Sequence, residues 1–253
     1  MTTAESTREI YNAQADKWKR DQPSLLSDFS ARPFLLNLCD PLQGKVCLDL
    51  GCGEGYVARE LMKRGAQSTL GIDISEQMIQ TAINQQNATP YQGLKYRVAD
   101  LRGSTDQLGN SYDLVMAVFL FNYMSVEEMH RTMRLAYDKL ATGGRLIFSV
   151  PHPSLPFLKQ EGFPFYFNPT AGYFSGRDNC FAGEIWKLDR TPVKVQCVHK
   201  LLEDYFAGLK NAGFNTMPDV HELRINEEHV KLDPEFFEPL FDLPLHLAME
   251  VTK

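Results

Sequence analysis

The sequence predicts an α/β fold built on a doubly wound, mostly parallel β-sheet. Three observations carry that prediction. Short apolar runs recur between residues 44 and 150, and helical patterns of about 10–15 residues alternate with them, the mark of successive β-α-β units. The first run, Val46-Cys47-Leu48-Asp49-Leu50, opens straight into a glycine turn (Gly51, Gly53, Gly55) and then into a helical stretch. Acidic residues, Asp49, Asp73 and Asp100, fall where those runs close, and open sheets of this kind bind ligands outside the carboxyl ends of their strands.

Each element follows in order. Residues 5–18 read as a short helix that covers something, with Tyr11 and Trp18 among its larger side chains. Pro23 and Pro33 punctuate the next stretch, and Phe34 to Cys39 ends a second helix before Asp40-Pro41. After the first strand a helix spans 54–64, with Gly65 at a left-handed cap. Ser68 to Ile72 is the second strand, closed by Asp73, and Ser75 caps a helix running to about Asn87. Leu94 to Val98 alternates as a third strand ending at Ala99-Asp100. Asp113 to Val118 is a fourth strand, buried on both faces. Ser125 and Glu128 form a capping-box pair for a helix to Leu140, which Thr142-Gly143-Gly144 ends before a fifth strand from Arg145 to Val150.

Beyond Val150 the periodicity breaks. Nine aromatic residues fall between Phe157 and Trp186 among frequent Gly and Pro, and a long aperiodic stretch inside a compact domain is usually functional. Val193 to Val198 alternates like a strand, Leu201 to Ala212 reads as a helix, and Phe214–Leu223 with Leu245–Val251 completes the sheet around a helical excursion over 227–240.

Composition narrows the function. The chain has 253 residues, 43% hydrophobic and 23% charged, enough for a single domain with a sizeable core. A net charge of −6 with no long basic stretch argues against binding a nucleic-acid backbone. Five irregularly spaced cysteines read as free thiols of a reducing compartment, with no metal-ligand spacing among them. No apolar run reaches the ~20 residues of a membrane span, and Met1 to Ile10 lacks an apolar signal core. The expectation is a cytoplasmic protein without membrane or nucleic-acid partners.

The glycine spacing sets the ligand. A dinucleotide loop wants G-x-G-x-x-G with a pyrophosphate at the helix N-terminus. Here the spacing is G-x-G-x-G, and Asp49 directly before it would repel a phosphate. A carboxylate there suits an ammonium group. Asp73, 22 residues beyond Gly51, can accept two ribose hydroxyls, and Asp100 can accept from an adenine amino group. Ammonium, ribose and adenine without phosphate describe S-adenosylmethionine. At this point the sequence resembles the class I S-adenosylmethionine-dependent methyltransferases of the small-molecule branch. V-C-L-D-L-G-C-G-E-G-Y, L-G-I-D-I-S-E-Q-M-I, R-V-A-D-L, Y-D-L-V-M-A-V-F-L-F-N-Y and L-A-T-G-G-R-L-I-F-S-V lie in order and register across 44–150.

The resemblance implies a Rossmann-like sheet of seven strands with an antiparallel last strand. Around it stand an N-terminal helical lid (1–43), a cofactor-binding core (44–150), an aromatic-rich cap insertion for the substrate (151–200) and the end of the sheet (201–253). It implies that Gly51 and Gly53 line the amino-acid moiety beside Asp49, and that Asp73 holds the ribose. Ile74 would take the adenine face, Asp100 and Leu101 the adenine edge, and Phe119 the methionine end. Cys52 and Met78 fall inside the matching motifs and join the cofactor set, Cys52 also reading as a small residue filling a tight turn. Tyr11 and Trp18 would close over the cofactor.

The methyl acceptor is read as a small, aromatic or apolar molecule methylated at O, N or C, because the cap is rich in aromatic faces. The alternatives are a protein or tRNA methyltransferase, or a non-catalytic cofactor-binding protein. His152, in S-V-P-H-P after the fifth strand, and then His199 are the candidate bases; each also reads as structural. Tyr123, Tyr173 and Trp186 are candidates for the acceptor pocket, or for ordinary aromatic core. No metal is expected, since F-L-F-N-Y-M offers only Asn122 as an oxygen ligand. The protein would act as a monomer or homodimer.

Overall fold

A computed structural model describes residues 3–18, 23–103, 108–159 and 161–253. Its centre is a seven-stranded sheet in the order β3-β2-β1-β4-β5-β10-β9. The strands are β1 (Val46–Leu50), β2 (Ser68–Asp73), β3 (Leu94–Val98), β4 (Tyr112–Val118), β5 (Leu140–Pro151), β9 (Asp219–Leu223) and β10 (His246–Thr252). The first five pair in parallel, and β10 lies antiparallel between β5 and β9.

Alternation along the central strands builds a core on each face. Leu48, Leu50, Val115, Ala117, Leu146 and Phe148 point to one side, where α6 (Val126–Lys139) and α8 (Leu202–Ala212) supply Met129, Met133, Tyr205 and Leu209. Cys47, Leu114, Met116 and Ile147 point to the other, against Leu35 and Leu36 of α3 (Arg32–Leu38) and Val57 and Leu61 of α4 (Tyr56–Lys63). The helices α1 (Thr3–Trp18), α2 (Ser27–Ser30) and α5 (Glu76–Ala88) complete this body. Ser75 and Ser125 cap α5 and α6 through their side chains, Ser125 with Glu128 as a full capping box.

Several boundaries differ from the sequence reading, and the strand expected over Phe214–Leu223 is only Asp219–Leu223. The helix expected over 54–64 starts at Tyr56, because Gly55 stands at φ +82° as its N-cap, and a left-handed residue cannot be part of a right-handed helix. The fifth strand starts at Leu140 rather than Arg145, with an irregular register opposite Tyr112–Leu114. Gly143 and Gly144 sit inside it, exchanging backbone hydrogen bonds with Lys253.

The insertion after Val150 is more regular than its sequence. After a helical turn, α7 (Leu155–Leu158), it forms an antiparallel three-stranded sheet of β6 (Phe165–Asn168), β7 (Cys180–Trp186) and β8 (Pro192–Val198). This sheet has its own apolar core, which includes Phe165, Phe167, Phe181 and Ile185 with Phe236 and Phe237. The last two come from α10 (Pro234–Phe237), which follows α9 (Glu227–Leu232). Gln196 of β8 donates to the Thr7 hydroxyl of α1 at 3.0 Å, and Lys200 donates to the Met124 carbonyl. Among the described residues no helix is long and apolar enough to cross a membrane.

Candidate functional site

The site starts from the turn after β1. Gly51, Gly53 and Gly55 all have positive φ, +69°, +54° and +82°, where a side chain would be strained. At Gly51 a Cβ would also stand 2.8 Å from Leu120 Cδ1, whereas in front of Gly53 there is open space. The turn is tied to β2: Gly51 and Cys52 N–H donate to the Ile72 carbonyl, and Gly53 N–H donates to Asp73 Oδ2 at 2.9 Å. Asp73 Oδ1 accepts the Ser75 N–H at 2.9 Å. The other lone pairs of this carboxylate are left for hydroxyl donors.

Asp49 sits below the turn, 1% exposed, and its Oδ2 has no hydrogen-bond partner. Burial, then the charge of Asp73, pushes its carboxyl up to about 8. Asp73 is raised as well, by burial, against the pull of its backbone donors. A buried acid with an orphaned oxygen and a half-buried one line one cavity, and their end of it suits a cationic group. These residues fit the ammonium and ribose of S-adenosylmethionine: Asp49 would face the cation and Asp73 the hydroxyls, and the backbone at Gly53 is open. Ile74, Met78, Ala99 and Leu101 line the apolar slot expected for adenine. Asp100 lines it too, with its carboxylate gripped by Arg102 through Nε at 2.8 Å and Nη2 at 2.6 Å. That grip holds the Asp100 carboxyl below its ordinary value.

At the other end of the cavity, Tyr11 packs between Trp18, tilted at 38°, and Tyr123, met edge-on, with ring centroids 5.4 and 5.3 Å away. The Tyr11 hydroxyl donates to that of Tyr123. Burial raises both phenols, Tyr123 to about 12. Phe119 closes the wall at φ +55°, a strained value for a bulky residue. The Arg32 guanidinium lies 5.5 Å above its ring and the His246 ring 4.9 Å from it. Arg32 also binds Asp28 at 2.9 Å and the Ser27 hydroxyl. Phe165, Phe167, Ile185, Val195 and Gln196 of the small sheet roof this end.

One cavity therefore gathers Tyr11, Trp18, Asp49, Gly51, Cys52, Gly53, Asp73, Ile74, Met78, Asp100, Leu101, Phe119 and Tyr123. It does not gather four other candidates. His152 stands outside the lining: its Nδ1 accepts the Ser154 N–H and its Nε2 meets Glu222 at 3.0 Å, which joins the ends of β5 and β9. His199 is buried inside the small sheet, donating from Nε2 to the Tyr173 carbonyl and stacked on Phe181 at 5.6 Å. Tyr173 packs on Phe157 and His199, and Trp186 on Phe163. His199, Tyr173 and Trp186 hold the cap together, and His152 ties the ends of two main-sheet strands, instead of facing the cavity. The sequence reading missed Arg32, Ser27, Gln196 and His246, which line it. Each is brought in by tertiary packing, with no local pattern to mark it.

Comparison with known proteins fits this geometry. Residues 47–144 match the model of a methyltransferase domain family. An uncharacterized protein of Haemophilus influenzae is 31% identical over 136 residues, which are 53% of either chain. A ubiquinone biosynthesis O-methyltransferase of Neisseria meningitidis is 26% identical over 53% of this chain and 57% of its own length. The chain thus spans about half the length of the curated relatives it matches. An S-adenosylmethionine dependent methyltransferase from Mesorhizobium loti superposes with a TM-score of 0.65 at 24% identity, over 87% of this chain and 96% of that one.

Proposed function

We propose that this chain, whose residues 47–144 match a methyltransferase domain, is a class I S-adenosylmethionine-dependent methyltransferase that moves a methyl group from that cofactor to a small acceptor with an aromatic or apolar body. The observation that carries the reading is Asp49: a buried carboxyl with an orphaned oxygen beside a half-buried second acid, in a cavity whose far end is aromatic.

Bound there, S-adenosylmethionine supplies a methyl group on a positively charged sulfur, which leaves as a neutral thioether. The protein's task is then alignment and exclusion of water. Asp49 holds the ammonium end and Asp73 the ribose. Ile74, Met78 and Leu101 grip the adenine. Tyr11 and Trp18 cover the cofactor, and Phe119 backs the reacting end. The acceptor lies under Phe165, Phe167 and Ile185, and these apolar walls favour a planar ring over a polar chain. The ubiquinone biosynthesis O-methyltransferases among the relatives support an oxygen acceptor on such a ring.

Titration calorimetry with S-adenosylmethionine and S-adenosylhomocysteine tests the donor half: binding of both is expected, and silence with both would overturn the reading. Transfer of a radiolabelled methyl group to a panel of small phenols, amines and enols tests the acceptor half, with phenols expected to be labelled first.

A further inference from the structure

The cavity contains one titratable ring that no sequence motif marks. His246 opens β10 and is 1% exposed, yet it lines the cavity. Its protonation state follows from counting protons. A serine hydroxyl has one proton to give. Ser30 Oγ lies 3.1 Å from the Leu26 carbonyl, which can only accept. With that proton directed at the Leu26 carbonyl, Ser30 Oγ is left to accept from His246 Nδ1, 3.2 Å away. In that tautomer the ring proton is on Nδ1, and Nε2 keeps its lone pair. Among the described residues Nε2 has no partner. It is also absent from the partnerless side-chain nitrogens that are sealed inside the protein, such as His221 Nε2. It opens into the cavity that its ring lines.

The ring is fixed in that orientation. It stacks on Phe165, 5.7 Å between centroids at 27°, and meets Phe119 edge-on at 4.9 Å. Its backbone is held in the ladder between Pro151 and Leu223. Burial, together with Arg32, keeps the imidazole neutral, pushing it down to about 3.

From this geometry we infer that His246 Nε2 receives the proton of a neutral hydroxyl acceptor as that oxygen is methylated. The inference rests on the methyl-transfer reading. In the step, a lone pair of the acceptor oxygen forms the new bond to the methyl carbon. The carbon–sulfur bond breaks with its electron pair on sulfur, and the O–H electrons stay on oxygen as the proton passes to Nε2. A base this weak cannot ionise the hydroxyl beforehand, so the proton moves only together with methyl transfer. A neutral hydroxyl does not surrender its proton to such a base, but an oxygen that is becoming an oxonium does. Before transfer the lone pair orients the hydroxyl; afterwards the imidazolium readily releases its proton to solvent. The acceptor class is thus a neutral hydroxyl on a ring seated beside Phe165, rather than an already ionised oxygen, which has no proton to give.

The test uses protein labelled with ¹⁵N-histidine, S-adenosylhomocysteine and phenol as the probe. Nε2 is expected to be unprotonated between pH 5 and 9, at the shift of a free lone pair, and to move when phenol is added to the homocysteine complex. His246→Phe keeps the aromatic stack; it should leave S-adenosylhomocysteine affinity within about twofold, weaken phenol about tenfold, and lower turnover of the best labelled phenol at least 100-fold. Ser30→Ala should shift the Nδ1–H tautomer toward Nε2–H and lower turnover by less. A proton found on Nε2 in the native protein, no response to phenol, or full turnover in His246→Phe would each overturn the inference. If S-adenosylhomocysteine binds while these readouts fail, only the role of His246 falls; if it does not bind, the methyl-transfer reading falls with it.

Discussion

Asp49 sets the donor end at the scale of one residue. With its carboxyl at about 8 against about 3.9 in an unfolded chain, the native state retains a proton that the unfolded state has released between those values. Stability therefore falls as pH rises from about 4 to 8, most steeply in the middle of that window and levelling off beyond about 8. Asp49→Asn removes this slope, so urea midpoints of the ligand-free variant are expected to gain on the native protein between pH 5 and 8. The same substitution should cost about 100-fold in S-adenosylmethionine affinity, consistent with the roughly 1.5–3 kcal/mol of a hydrogen bond to a charged group. Cofactor binding at pH 6.5 should release close to one proton, visible in calorimetry as a dependence on buffer ionisation heat. Asp49, Gly51 and Asp73 were legible in the sequence because their meaning lies in short spacing within one strand–turn–helix unit. His246 and Arg32 were not: their rings and charges converge on Phe119 from opposite ends of the chain, and nothing local distinguishes them from ordinary core or surface residues.

Among the elements, α1 is the one whose contact with the site is most specific. It touches the cavity through Thr7, Tyr11 and Trp18 and reaches α5 through the hydrogen bond from Ser75 Oγ to Asn12 at 2.6 Å. Tyr11→Phe keeps the ring packing and removes the hydroxyl pair with Tyr123. S-adenosylhomocysteine should then dissociate about 3–10-fold faster in stopped-flow displacement, in keeping with one lost hydrogen bond of ~1 kcal/mol, with the melting temperature nearly unchanged. The central strands and their helices could be read ahead because apolar period and caps agree there. Two strands of the small sheet could not. In β6, Phe165, Tyr166 and Phe167 are all buried, so no alternation shows. In β7, Gly183 reads as a breaker, yet a Cβ there would come within 2.3 Å of the Tyr166 carbonyl. It is glycine because the neighbouring strand passes so close.

For the molecule as a whole, the buried thiols set the alkaline limit. Burial pushes Cys39, Cys47 and Cys197 up to about 12, and Cys52 upward as well, against about 8.5 when unfolded. Each thiol stays protonated in the native state where the unfolded state ionises, so stability should drop as pH rises above about 9. Lys200, lowered by burial to about 8, opposes this as a single group. Denaturation at pH 7.5 and 9.5 should show the fall, and replacing Cys39 and Cys197 by Ala should flatten it. The division of the cavity has a different kind of consequence. One end of the cavity is built by the turns after β1, β2 and β3, whereas the other is roofed by a separate small sheet and by residues from the two ends of the chain. Selection can therefore reshape the roof without disturbing those turns. On the proposed reading, descendants of such a protein are free to exchange one target molecule for another while inheriting the same methyl source intact.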